Sequence, residues 1–521
     1  MSSPLAWVEA VRQLHENHRL VAAARHPIGR FAVVMAAAVL MLPFGALLGI
    51  GRKPMREIAG TALREPSFPW AIAVVVVVAL VSLAPDLRRW TLSAGAVVVF
   101  ALMLLGRGRG SPEPLEIWNW SATREALAGV TLASQAGVLA ACGAVFLVCW
   151  WTARNPGRLP RPVRRAPQVT LHAFFWLLVA IVWLAPGAAW RPWLVLFAAT
   201  LSFTLWRLGY LLMSGKRGSA AGTGIQDHLF YMWPFWGQPS VLPYGKGYDY
   251  LSTHERADPE AFARAQLGGL KLLVLSRAWS LVEVVADRAL LRSGDAGVIP
   301  RIHDLVTGAA TASIPVAWTS LYAELVLYTV ELAAAGHFFI GCLRLCGYGI
   351  YRNTYKPLLS RTILDFWNRF NFYFKELLVD FFFFPIYLRW FRGRPKLRIF
   401  AAVMGAACVG NLYFSLIQRP TLYGADMHGV WTSLNSRAFY CLLLGLGVCV
   451  SMIRQQARRG HVEAGTGLAL RMRHARAIFL VCTYYGIIHI WNLWGDDPMT
   501  FAERTNFFLG LFGLPPLLGG A

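Results

Sequence analysis

His428 stands between Met427 and Gly429 at the head of a long apolar run, and Asn371 follows Phe370 in a segment crowded with aromatic residues. The two residue types suit different halves of one reaction. An imidazole titrates near neutral pH and is the usual general base. A carboxamide cannot take a proton there, so its part is to hold a carbonyl, steady an oxyanion or orient a reactant. Trp367 and Arg369 lie just upstream of Asn371. Ionisable residues also interrupt apolar sequence at Glu324, Glu331, His337, Lys375, Glu376 and Asp380. Such groups are costly in lipid, which makes each a functional candidate. For Glu331 and His337 the expected part is polar pairing in the core or lining a tunnel. Metal and nucleotide motifs do not emerge. Cys342 and Cys346 are one turn apart without partners at zinc spacing. His15-Glu16-Asn17-His18 lacks the HExxH spacing, and Gly245-Lys246-Gly247 has the wrong neighbours for a phosphate loop. No metal is required by this residue set.

The elements that must position these residues are membrane helices. Of the 521 residues, 56% are hydrophobic and 15% charged, with a mean hydropathy of +0.47; soluble domains carry about 25% charged residues. The apolar residues come in runs, among them 31–48, 69–85, 91–105, 126–152, 169–190, 399–416, 438–453, 477–494 and 507–518. A span needs about 20 mostly apolar residues, which predicts an all-α, polytopic chain of roughly 11 to 13 membrane helices. The opening, Met1 to Arg30, lacks the apolar core and small-residue cleavage site of a signal peptide, and reads as a surface helix or a short tail.

The formal charge of +23 is concentrated in three short stretches: Arg154–Arg165, Arg389–Arg398 and Arg454–Arg476. Basic residues packed between spans mark cytosolic loops, and nucleic acid is not the expected partner. A basic cytosolic face would also attract an anionic donor. The eight cysteines lie in or beside apolar stretches and show no disulfide framework.

The chain changes character after Ser214. Residues 1–215 hold about six spans by length and no visible chemistry, whereas residues 216–521 mix aromatic and polar residues into the apolar runs. Within 328–388 the stretch around Glu331 leads to Ile340, Gly341, Arg344, Leu345, Gly347 and Tyr348. Asn353 and Pro357 follow, then Asp365, Phe366, Trp367 and Arg369, and finally Asp380 and Pro385. About one helix later come His428, Gly429, Trp431 and Thr432. This layout resembles the core of the membrane-bound O-acyltransferase family. It is most similar to the membrane subunits of bacterial polysaccharide (alginate-type) O-acetyltransferases. Gly237-Gln238-Pro239 resembles the family's Gly-Pro loop more weakly, and the whole resemblance covers about residues 228–495. Asn371 stands where the polysaccharide branch has His, as in the lipid- and protein-acylating branches; His337 replaces a second acidic residue, and Met427 replaces a Trp.

The resemblance implies a multi-pass O-acyltransferase of a bacterial inner membrane. An acyl group, acetyl included, would pass from a cytosolic thioester (acyl-CoA or an acyl carrier protein) to a hydroxyl of a glycan or lipid. It implies His428 as general base and Asn371 as its assistant, with no tightly bound cofactor, and a periplasmic partner acyltransferase that can complete the transfer. The rival readings are a transporter or flippase and a catalytically inactive scaffold of the same fold. With the basic loops cytosolic, a continuous helix from Asp365 puts Asn371 roughly 27 Å from Arg389, in the outer half of the membrane. His428 begins a returning span at a similar depth.

Overall fold

A computed structural model describes residues 13–41, 68–105, 131–235, 246–291, 298–457, 467–493 and 499–517. Gly237-Gln238-Pro239, Gly245 and parts of the apolar and basic stretches, including 458–466, lie outside the described residues. The described chain is all-α: two isolated β-bridges, Glu255 with Tyr348 and Leu291 with Ile299, are the extended pairings among these residues. Two compact units interleave along the sequence. One comprises Met1–Arg277, His337–Tyr351 and Ile417–Asp426; the other comprises Ala278–Gly336, Arg352–Leu416 and Met427–Ala521. The units are thus cut differently from the compositional change near 215.

The first unit holds α1 (His18–Ala24), α2 (Pro27–Met41), α3 (Phe68–Leu83), α4 (Arg88–Leu105), α5 (Leu132–Arg154), α6 (Pro167–Leu184), α7 (Arg191–Arg217) and most of α8 (Pro259–Ala289). Helix α7 is its axis, with 94% of its most apolar window buried. Pro192 opens it, where a missing N–H costs nothing. Gly218 closes it at φ +82, donating to Gly215 O at 3.1 Å while Ser219 donates to Ser214 O at 3.1 Å; glycine accepts this left-handed turn without strain. One turn earlier Gly215 lets α5 approach: a Cβ there would lie 2.5 Å from Ala153 Cα.

The second unit is built on α9 (Ile314–Leu345, whose last turns belong to the first unit), α10 (Ile363–Phe370) and α11 (Phe372–Leu378). Helix α11 runs through a π-helical turn, Val379–Phe383, into α12 (Phe384–Arg389). Helix α13 (Pro395–Val403) passes through a second π segment, Met404–Gly410, into α14 (Asn411–Leu416). Then come α15 (Met427–Ala457), α16 (Gly467–His489) and α17 (Phe501–Gly510). The start of α17 is fixed by a capping box: Thr500 Oγ1 accepts from Glu503 N at 3.2 Å and Glu503 Oε2 from Thr500 N at 2.7 Å. A core of Phe366, Ile399, Val403, Leu444, Val448, Val481, Tyr485 and Ile488 joins α10, α13, α15 and α16.

Six described helices are long and apolar enough to cross a membrane, and seven if α1 and α2, bent by 104°, count as one span. The other expected spans are helical where described but shorter or more charged. Helix α3 has an apolar stretch of only Ile72–Leu83, and α16 carries Arg471, Arg473 and Arg476.

Candidate active site

The helix expected to run unbroken from Asp365 is interrupted at Asn371. Its backbone leaves the helical region (φ −137, ψ 80), and α10 ends there as α11 begins. The reason lies in the loop carrying Asn353. Tyr355 N donates to Arg369 O at 2.9 Å and Thr354 Oγ1 to Phe370 O at 2.9 Å, which satisfies carbonyls at the end of α10. Asn353 takes the other side of the break: its carbonyl accepts from Phe372 N at 2.9 Å and its Oδ1 from Tyr373 N at 3.2 Å. Asn371 Oδ1 then accepts from Phe374 N at 3.4 Å. A helix end inside a protein needs its free groups paired, and here two asparagines and a threonine do it. Asn353 and Thr354 are buried.

Helix α10 starts at Thr362, whose Oγ1 accepts from Asp365 N at 3.0 Å. Asp365 and Arg369, one turn apart, form an ion pair at 2.8 Å. Trp367 packs, half-buried, against the core shared by α10, α13, α15 and α16. Leu364 N donates to Ser451 Oγ at 3.2 Å, so α10 docks near the C-terminal end of α15.

His428 is the second residue of α15, at its other end, and its side chain is exposed. Met427 and Trp431 beside it are 62% and 64% exposed. Leu442, Leu446 and Val450 are also exposed, and at about 100° per residue all three fall within about 40° of His428 around the helix. The imidazole therefore heads the face of α15 that the unit leaves uncovered. Its side chain makes no hydrogen bond or ion pair among the described residues. The 23 residues from His428 to Ser451 rise about 34 Å, while α10 brings Asn371 back by at most about 11 Å. Allowing about 7 Å across the Leu364–Ser451 bond, the Cα atoms of Asn371 and His428 are roughly 15 Å or more apart. The two side chains do not touch.

Glu331 is exposed and interacts electrostatically with Arg301 and Tyr328. His337 is buried, and six residues along α9 it faces a different side and belongs to the first unit. The second unit thus gathers His428, Asn371, Glu331, Trp367 and Arg369.

A buried polar cluster that the sequence reading missed lies in the same unit. His489, expected as an interfacial residue, is 8% exposed and stacks on Tyr328 with ring centroids 4.5 Å apart and planes at 24°. Tyr328 also meets the ring of Phe370, the residue before Asn371, at 5.4 Å, and its hydroxyl bonds the Asn492 side chain. Arg437 acts on Tyr328, Tyr440 and His489 electrostatically, and its Nη2 donates to Asn411 Oδ1 at 3.0 Å. Buried Arg504 donates to three carbonyls, Ile490 at 2.7 Å, Leu493 at 3.1 Å and Met499 at 3.3 Å. An arginine within a predicted span is the signal that would have found this cluster.

The first unit has its own polar centre. Arg89 pairs with Asp227 and, at 2.6 Å, with Glu255, while Arg88 lies over the rings of Phe262 and Tyr348. Next to it His228, fully buried, meets Thr223 Oγ1 at 2.8 Å through Nε2 and Tyr231 OH at 3.0 Å through Nδ1. Thr223 spends its own proton on Ala220 O at 2.8 Å. His228 Nε2 must therefore donate and Nδ1 accept, which leaves no free lone pair for a base. Burial pushes this imidazole down to about 4. No group of three or more His, Cys, Asp or Glu side chains among the described residues is arranged to hold a metal. No protein-family model matches this chain, and no curated protein matches it.

Proposed function

We propose that this membrane protein is an O-acyltransferase, moving an acyl group from a cytosolic thioester to a hydroxyl of a glycan or lipid. The observation that carries the reading is that its two candidate residues stand at helix N-termini of one compact unit: Asn371 caps α11, and His428 opens α15. Backbone N–H groups and the helix dipole favour negative charge at such ends, which is what a tetrahedral acyl-transfer intermediate develops.

In the reaction His428 takes the proton of the acceptor hydroxyl as its oxygen attacks the thioester carbonyl. The carbonyl becomes an oxyanion, and its collapse expels the thiolate, which leaves with a proton. The exposed imidazole is reachable by an acceptor too large to enter a closed core. Asn371 donates from its amide to the acyl oxygen. Base, hydroxyl, carbonyl and amide, each in hydrogen-bond contact, span at most about 17 Å between the two Cα atoms with both side chains extended. Against a separation of roughly 15 Å or more, this leaves one narrow arrangement, a substrate stretched between them. Bacterial inner-membrane placement and a periplasmic partner belong to the same proposal.

A transport function draws on one observation, the interrupted helix at Asn371, since transporters build midplane sites from broken helices. Thioester cleavage by purified wild-type and His428→Ala protein separates the readings. His428-dependent cleavage supports acyl transfer; substrate flux without it supports transport.

A further inference from the structure

Arg437 is a cation partway along an apolar helix. It lies ten residues into α15, about 15 Å from its start, and nine residues from His428 it points to the opposite side of the helix. That side carries the buried residues Val430, Leu434, Cys441, Leu444 and Val448. A guanidinium has five N–H donors. Arg437 gives one to Asn411 Oδ1 at 3.0 Å, bonds the Cys441 thiol, and lies over the Tyr440 ring at 5.1 Å. Its Nε is shielded from solvent and has no hydrogen-bond partner. The other inward guanidiniums of this unit are closed differently: Arg301 on Glu324 at 3.3 Å, Arg369 on Asp365 at 2.8 Å, and Arg504 on three backbone carbonyls. Arg437 has neutral partners alone. A buried charge without a counter-charge is strongly unfavourable, and a buried donor left unbonded adds its own penalty.

We propose that Arg437, held by Asn411 and flanked by Tyr328, Tyr440 and His489, binds an anionic oxygen group, a carboxylate or a phosphate, of a ligand entering the core of the second unit. The planar fork suits such groups, which accept two N–H donors side by side. Asn411 is itself 2% exposed and fixes the guanidinium from one edge, leaving the Nε edge for the ligand. Tyr328 supplies an aromatic wall, locked in place by His489 and Asn492. The site lies on the face of α15 away from His428 and does not depend on the acyl-transfer reading.

The test uses the full-length protein in a neutral detergent at constant ionic strength, with chloride as the exchanged ion. The thermal midpoint is followed by tryptophan fluorescence. Acetate and inorganic phosphate probe free anions, and nanodiscs of phosphatidylglycerol against phosphatidylcholine probe a lipid headgroup. The expected result is a saturable rise of the wild-type midpoint with at least one probe; which probe succeeds identifies the source of the anion. Arg437→Gln should weaken the apparent affinity at least tenfold. Asn411→Asp is the second variant, because it supplies a carboxylate from within. It should fold at least as stably as wild type and lose the response. Absence of any anion-dependent shift in the wild type overturns the proposal, as does an undiminished shift in Asn411→Asp.

Discussion

Asn371 Oδ1 accepts a hydrogen bond from the backbone N–H of Phe374, three residues on, and so the residue proposed to assist catalysis is also the cap of α11. The two roles separate by substitution. Asn371→Ala loses both, and should cost about 0.5–2 kcal/mol of stability and one to three powers of ten in turnover. Asn371→Ser keeps a capping oxygen but not the amide, so it should restore most of the stability and little of the rate. Asn371→His should keep measurable activity. Denaturation midpoints and acyl-transfer rates on the same preparations decide between them, and a fully active Asn371→Ala protein would remove this residue from the site.

His428→Ala should remove nearly all transfer, since general-base help is worth about 100- to 10,000-fold. It should leave the thermal midpoint unchanged, because the exposed side chain supports nothing in the described fold. His428→Gln should be no better, as an amide takes no proton at neutral pH. Transfer assays paired with melting curves check both halves, and full activity in His428→Ala ends the hypothesis.

The separation of the two residues is itself measurable. Spin labels at 371 and 428 should report backbone positions about 15–17 Å apart, the window left by helix geometry and by a bridged tetrahedral centre. A distance well above 20 Å would rule out their acting on one carbonyl.

His228 should make stability depend on pH. Its folded value of about 4 lies below the ordinary 6.5 because burial disfavours the charged form. The unfolded chain takes the proton first, so the contribution is complete above about pH 6.5. It is lost progressively as pH falls toward 4, by up to about 3 kcal/mol. Unfolding followed between pH 7 and pH 4 should show a steeper loss in wild type than in His228→Gln. Parallel curves would contradict it.

The loops 153–168, 389–398 and 454–476 should all react with a membrane-impermeant thiol reagent from the cytosolic side when single cysteines are placed in them. One loop reacting only from the opposite side would break the assumed orientation.

What the sequence made legible follows from what periodicity and composition encode. Helical class and the apolar runs came directly from hydropathy, because a membrane helix carries its whole signal within one segment. The break at Asn371 did not, because it depends on Asn353, Thr354 and Tyr355, eighteen or so residues upstream, supplying partners for an interrupted backbone. Asn353 had been picked out as a motif letter, with no hint that it caps the second half-helix. His489 looked interfacial beside Trp491 and Trp494 because a sequence does not show that Tyr328, about 160 positions earlier, covers its ring. The uncovered face of His428 was equally invisible: which side of α15 its own unit packs against is a property of the other helices.

The π segments Val379–Phe383 and Met404–Gly410 lie against each other, Phe382 covering Gly410 and Ile386 covering Gly405. Each such turn is an α-helix with an extra residue accommodated. Length here is therefore a coordinate of the chemistry. Removing one residue from Met404–Gly410 would let the helix relax to the ordinary pitch and turn everything after it by about 100°. Asn411 would swing off Arg437 while the helix itself stayed whole. An insertion–deletion scan would find this stretch intolerant of a change in number, though most changes of side chain in it would pass.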